Sequence, residues 1–161
     1  AIHGLYTGGT LCAEALVIMS EAGIAAQSNA PVRKGVNLPD THHVITDLGA
    51  DEFTQGQPHP MLEPAVRVGP LTSSLQDSSV AVVLVDVVLG FGAHPNPAQA
   101  VVETIEAASG EAGPTVVAYV CGTDADPQGY AGQVKALRDV GVLVARSNSD
   151  AVRLAMRLSH A

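Results

Sequence analysis

The segment VAVVLVDVVLGFGAHPNPAQAVVETI, residues 80–105, decides the fold class. Its first ten residues are apolar except for Asp86, and they lack the polar alternation of a strand with one solvated face. Such a run is typical of a central strand that helices cover on both sides. It ends at Gly90 and continues through Pro95 and Pro97 into apolar residues at helical spacing. The segment therefore predicts a strand, a loop and a helix of an α/β domain.

Similar units recur along the whole chain. Four more apolar runs predict strands at residues 2–6, 44–48, 115–120 and 142–145. Apolar residues at spacings of three and four predict helices at 11–22, 98–108, 134–140 and 151–158, and a further helix in 61–75, which Pro64 and Pro70 interrupt. Alternating strands and helices imply right-handed crossovers and a mainly parallel sheet. A length of 161 residues suits a single domain spanning 1–161.

Charge and cysteine content exclude several classes of function. The net charge is -8 with only 8 Lys and Arg, which argues against nucleic-acid binding, and the basic pair Arg33-Lys34 is interpreted as a solvated face. The sequence has no run of 18 apolar residues, so no membrane association is expected. Cys12 and Cys121 form neither a CxxC motif nor a disulfide framework, which favours a cytoplasmic protein. Cys12 falls in a first helical turn, where the helix dipole lowers a thiol pKa, but it is interpreted as core.

The chain begins AIHGLYTGG, without Met and almost directly in a strand. We therefore expect a domain cut out of a longer polypeptide.

The loops that follow the strands carry the candidate chemistry, because ligands of open α/β sheets bind beyond the carboxyl ends of the strands. After the first strand, Thr7, Gly8, Gly9 and Thr10 lead into a helix. Two glycines and a helix N-terminus favour a bound phosphate or carboxylate. The alternative is that the glycines only make a tight turn. Neither the dinucleotide fingerprint nor the P-loop motif is present.

The loop after the central strand reads GFGAHPNP. Gly90 and Gly92 bracket a phenylalanine and are candidate ligand contacts. His94 is a candidate phosphoryl acceptor, acid–base group or substrate hydrogen-bond donor, or it fixes its own loop through backbone hydrogen bonds.

The loop after the second strand adds Gly49 and His59 as candidates for binding and catalysis, respectively. Asp51 and Glu52 lie beside them, but no spacing such as HxxxH supports a metal site, and none is expected. Asp86 lies inside the predicted central strand, where a carboxylate is costly unless it is hydrogen-bonded or paired. We expect it to reach the loop layer or a backbone donor.

Three stretches, GLYTGGTLCAEAL, DLGADEFTQGQPHPM and VAVVLVDVVLGFGAHPNPA, resemble the C-terminal part of the FdrA family of acyl-CoA synthetase-like proteins. More distantly, the layout is similar to the ligase domain of the succinyl-CoA synthetase β subunit. The resemblance implies a flavodoxin-like three-layer fold with strand order 2-1-3-4-5. It also implies a parent chain with an N-terminal CoA-binding-like domain, partner subunits or a homo-oligomer, and CoA and nucleotide as cofactors of the parent. In the synthetases the phosphohistidine belongs to the partner subunit, so the resemblance does not assign it to His94.

Two functions follow from these residues and from the resemblance. The first is a domain for group transfer, namely CoA ligation or the carbamoyl transfer that the family resemblance implies in purine and allantoin breakdown. There the glycines contact a phosphorylated or acyl small molecule, and His94 and His59 orient or protonate it. The second is a docking domain that holds no substrate and assembles with other domains or subunits.

Overall fold

Five strands form one parallel sheet in a computed structural model that describes residues 1–32, 41–108 and 113–160. The strands are β1 (Ile2–Tyr6), β2 (Val44–Asp47), β3 (Val82–Val88), β4 (Thr115–Cys121) and β5 (Leu143–Ala145). Their order is β2-β1-β3-β4-β5, which confirms the predicted topology. The pair Arg33-Lys34 lies outside the described residues.

The central strand β3 pairs with β1 on one side and with β4 on the other. Its residues from Val82 to Val87 are all buried, so helices exclude water from both of its faces. This is the reason for the apolar run in the sequence, which only Asp86 interrupts, because both faces of such a strand pack against apolar side chains. The expected order 2-1-3-4-5, in which the third strand lies beside the first, agrees with this pairing.

Helices cover both faces of the sheet and enclose two apolar cores. They are α1 (Gly9–Glu21), α2 (Asp51–Thr54), α3 (Val68–Gln76), α4 (Gln99–Ala108), α5 (Tyr130–Asp139) and α6 (Asn148–Leu158). Side chains from α1 and α6 share one core with Ile2 and Tyr6 of β1. Side chains from α3, α4 and α5 share the other core with Val83 and Val85 of β3. The molecule is therefore a three-layer α/β domain.

The segment with two prolines forms a 3₁₀ turn (Pro64–Arg67) followed directly by α3. Pro70 lies in the first turn of α3, where the missing N–H removes no intrahelical hydrogen bond. The prolines therefore shorten and displace the predicted helix without abolishing it.

Cys12 is fully buried, as its interpretation as a core residue predicts. Burial is the main cause that raises the pKa of its thiol to about 12, and the carboxylate of Asp47 adds to the effect. The helix dipole is outweighed here, because a thiolate loses more by leaving water than it gains from the helix terminus.

No helix among the described residues combines the length and the apolar character that crossing a bilayer requires.

The first prediction concerns pH and the amino edge of the sheet, where Nδ1 of His43 accepts from the backbone N–H of Ile2 at 3.1 Å. Burial is the largest cause that lowers the pKa of His43, followed by nearby positive charge. Burial likewise lowers the pKa of His3, although the nearby carboxylate of Asp77 acts to raise it. The unfolded chain therefore binds more protons near and below the ordinary histidine pKa, so stability is lost as the pH falls through that range.

We expect the urea concentration at the unfolding midpoint to decrease as the pH is lowered from about 7.5 to about 5. His43→Asn, whose Oδ1 accepts from Ile2 at any pH, reduces that slope. An identical slope in His43→Asn would show that His43 does not contribute.

Candidate functional site

The candidate site lies at the carboxyl edge of the sheet, where β1, β2 and β3 end side by side. Helix α1 begins directly after β1, with Gly8 at its N-cap position and no side-chain cap. The first N–H groups of a helix lack intrahelical acceptors. We call the amides of Thr7 and Gly8 the inner amides and those of Gly9 and Thr10 the outer amides. Gly9 and Thr10 are exposed, whereas Thr7 and Gly8 are buried.

The carboxylate of Asp86 accepts hydrogen bonds from both inner amides. Oδ1 accepts from the Thr7 N–H at 2.8 Å and from the Thr7 hydroxyl at 3.0 Å, and Oδ2 accepts from the Gly8 N–H at 2.7 Å. Asp86 is completely buried. The expectation that it reaches a backbone donor is confirmed, and the donors belong to the turn from which a phosphate site was predicted.

Arg67 completes this network, and sequence reasoning missed it. Its Nη2 lies 2.7 Å from Oδ1 of Asp86, and its Nη1 donates to the backbone carbonyl oxygen of the same residue. Arg67 is only 3% exposed. Its Nε is buried and has no hydrogen-bond partner among the residues that the structure describes. A sequence signal exists, because the predicted central strand holds an acid that needs a cation and the chain has few cations to offer.

The two glycines of this turn make room for carboxylates of the chain itself. A Cβ on Gly8 would lie 3.2 Å from Oδ2 of Asp86, and one on Gly9 would lie 2.9 Å from Oδ2 of Asp47. The second distance is too short for a real side chain. The approach of Asp47 therefore disfavours a side chain at position 9, and the approach of Asp86 crowds one at position 8.

Gly49 packs against His59 at the end of β2. A Cβ there would lie 2.6 Å from Nε2 of His59 and 2.9 Å from the carbonyl oxygen of Thr7. The Gly49 N–H donates to Oδ1 of Asp47 at 2.9 Å. The structure thus brings His59, Gly49 and Thr7 together, which are three of the residues selected from the sequence.

His59 and His94 form the same local turn, His-Pro-X, in which Nδ1 accepts from the N–H two residues on. The distances are 3.2 Å from Met61 to His59 and 3.1 Å from Asn96 to His94. The two turns are joined, because the His94 N–H donates to the Met61 carbonyl oxygen at 2.9 Å. Since a backbone N–H can only donate, each neutral imidazole carries its proton on Nε2. Each neutral imidazole therefore carries its donor at Nε2, which in His59 lies against Gly49, and His94 also fixes its own loop.

Gly90 and Gly92 adopt φ values of 137° and 86°, which favour glycine strongly. The side chain of Gln128 holds Gly90 on both sides: Oε1 accepts from its N–H at 3.1 Å, and Nε2 donates to its carbonyl oxygen at 2.7 Å. Phe91, between the two glycines, is fully exposed. The loop is therefore shaped by its backbone and by Gln128, and its tip is an aromatic ring in solvent.

The amides selected from the sequence thus fall into two groups. Those of Thr7, Gly8, Gly49 and Gly90 donate to side chains of the chain itself. The outer amides and the amide of Gly92 belong to exposed residues.

A cavity of about 10 Å³, enough for roughly one water, lies beside the ion pair. Its polar lining comes from Thr7, Arg67 and Asp86, and its apolar lining comes from residues that include Pro60 and Met61. Neither imidazole lines it. Within the described ranges, no group of three or more His, Cys, Asp or Glu is arranged to hold a metal ion.

Comparisons with known proteins agree with this architecture. The family described as CoA-ligase matches residues 5–158. The uncharacterized protein YahF of Escherichia coli (strain K12) is 37% identical over 163 residues, which cover 96% of this chain and 32% of YahF. The chain therefore spans about a third of the length of this relative.

The second prediction concerns the buried ion pair. Arg67→Met keeps an unbranched side chain of similar length but leaves the Asp86 carboxylate buried without its counter-ion. Breaking a buried pair in this way costs about 3–5 kcal/mol, so we expect a loss of that size in the free energy of urea unfolding. Lys135→Met is the control, because the Lys135–Asp139 pair is largely exposed and contributes little. Equal losses of unfolding free energy in the two variants would show that the buried Arg67–Asp86 pair stabilises the fold no more than an exposed pair does.

Proposed function

This chain belongs to the CoA-ligase family, and we propose that it is the C-terminal domain of an FdrA-like acyl-CoA synthetase or carbamoyltransferase. In this proposal it contributes a binding site for a phosphate or acyl phosphate during group transfer. The N-terminal CoA-binding-like domain and partner subunits, or further copies, supply CoA, nucleotide and the remaining catalytic groups. The reaction takes place in the cytoplasm.

The observation that carries the proposal is the N-terminus of α1, which has no side-chain cap and lies at the carboxyl edge of the sheet. Gly8 has no side chain with which to cap the helix, and Gly9 and Thr10 are exposed. Uncapped N–H groups together with the helix dipole favour an anionic group. A terminal phosphoryl or carboxylate group on the outer amides meets this requirement.

His59 and His94 have matching roles in this proposal. The hydrogen bond from the His94 N–H to the Met61 carbonyl oxygen joins their two turns. In each turn the neutral imidazole carries its proton on Nε2. They donate hydrogen bonds to oxygens that gain negative charge during transfer, a form of electrostatic stabilisation that contributes strongly to catalysis. A role as general base is less compatible with this geometry, because moving the proton to Nδ1 would break the turn.

A docking domain is the second candidate function, and the exposed aromatic rings favour it. The chain has only two phenylalanines, and both lie outside the core. Phe91 is 102% exposed and Phe53 is 36% exposed, and each follows the carboxyl end of a strand. Exposed aromatic anchors are typical of protein interfaces.

The third prediction separates the two functions through Thr10. Thr10→Asp places a carboxylate beside the outer amides, and a negative charge in the first turn does not weaken the helix. Even in bulk water, two unit charges 4 Å apart repel by about 1 kcal/mol, so inorganic phosphate should bind at least about fivefold more weakly. Thr10→Asn is the neutral control and keeps the affinity of the unmodified chain. The measurement is a titration followed by amide chemical shifts. Absence of phosphate binding in the unmodified chain would favour the docking function.

The fourth prediction tests the Nε2–H of His94. In His94→Asn, Oδ1 replaces Nδ1 as the acceptor for Asn96, so the turn is kept and Nε2 is lost. His94→Ala removes both. If Nε2 contacts the reacting group, both variants should slow turnover of carbamoyl phosphate by the longer polypeptide by about 10²–10⁴-fold. Normal turnover in His94→Asn would reduce His94 to a residue that fixes its loop.

A further inference from the structure

Asp86 holds the donors that a bound anion would otherwise use. Its two oxygens accept from both inner amides and from the Thr7 hydroxyl at 2.7–3.0 Å. Three donors around one carboxylate are an arrangement that proteins also use for external anions. In this chain the anion is part of the protein.

The charge of this internal anion is already balanced. Arg67 donates to Oδ1 at 2.7 Å, and both side chains are almost completely removed from solvent. A phosphate that reached the inner amides would have to displace Asp86 from all three donors. It would also leave two anions beside a single buried cation, which low dielectric makes unfavourable.

We propose that the Asp86 carboxylate permanently fills the anion position at the amides of Thr7 and Gly8, and we call it the resident anion. It thereby determines which ligands the turn at residues 7–10 accepts. Resting on the proposed function, this inference confines an external anion to the outer amides. The site then admits a terminal phosphoryl or carboxylate group and excludes a pyrophosphate enclosed by the whole turn. Asp86 acts through Thr7 and Gly8, so it is a specificity-determining residue and not a catalytic one.

Chemical rescue tests the resident anion directly. Asp86→Ala removes a carboxylate the size of formate, leaves the inner amides without an acceptor, and leaves Arg67 with only the backbone carbonyl oxygen of residue 86. We expect sodium formate to raise the Tm of D86A by at least about 2–4 °C over sodium chloride at equal ionic strength, since a ligand that binds only the folded state stabilises it. The unmodified chain, whose inner amides already donate to Asp86, shows a smaller formate-specific rise, from the outer amides alone. The double variant D86A/R67M, which lacks the cation, shows no larger rise than the unmodified chain. A rise in D86A no larger than in the unmodified chain, or an equal rise in D86A and the double variant, would overturn the inference.

Asp86→Asn provides a second test if D86A folds in neither salt. The amide keeps the shape of the side chain, but it cannot accept from both inner amides. Inorganic phosphate should shift the amide signals of Gly9 and Thr10 in the unmodified chain, and those of Thr7 and Gly8 as well in D86N. Equal shifts of all four amides in the unmodified chain, or no new shifts in D86N, would contradict the inference.

The two proposals fail in different ways. If phosphate shifts no amide of the unmodified chain, the proposed phosphate site is wrong. Rescue of D86A by formate then still decides whether Asp86 is the resident anion.

Discussion

The buried ion pair between Asp86 and Arg67 joins three parts of the molecule that are distant in sequence. Asp86 lies in β3, its donors at Thr7 and Gly8 follow β1, and Arg67 ends the 3₁₀ turn before α3. An isolated buried charge is unfavourable, so removing either partner alone destabilises the fold. The direction in which β1 leads into α1, and with it the position of the exposed helix terminus, depends on this pair.

The fold was accessible from the sequence because its main signal is local. A run such as residues 80–89 reports that both faces of a strand are dry, and regular alternation with helices restricts the topology to a parallel sheet. The strand order 2-1-3-4-5 came from the family resemblance. Arg67 was less accessible, because Pro64 and Pro70 obscure the helical periodicity around it and its partner lies 19 residues further along the chain.

The sequence predicted which loops come together more fully than what their residues contact. Loops that follow neighbouring parallel strands lie at the same edge of the sheet, and Thr7, Gly49 and His59 lie together there. A glycine in the sequence indicates either a backbone conformation that favours it, as at Gly90 and Gly92, or a group that approaches the backbone closely. It cannot tell a ligand from a side chain of the same protein, and beside Gly8 and Gly9 the approaching groups are Asp86 and Asp47.

Two glutamine amides determine how rigidly the Phe91 tip is presented. Gln128 hydrogen-bonds both sides of Gly90, and Gln133 links the Gln128 carbonyl oxygen to the Ala98 N–H at the start of α4. The loop is thus fastened on both sides of the aromatic ring. Because these hydrogen bonds fix the backbone on both sides of Phe91, binding at this tip would lose less backbone entropy than binding at an unrestrained loop.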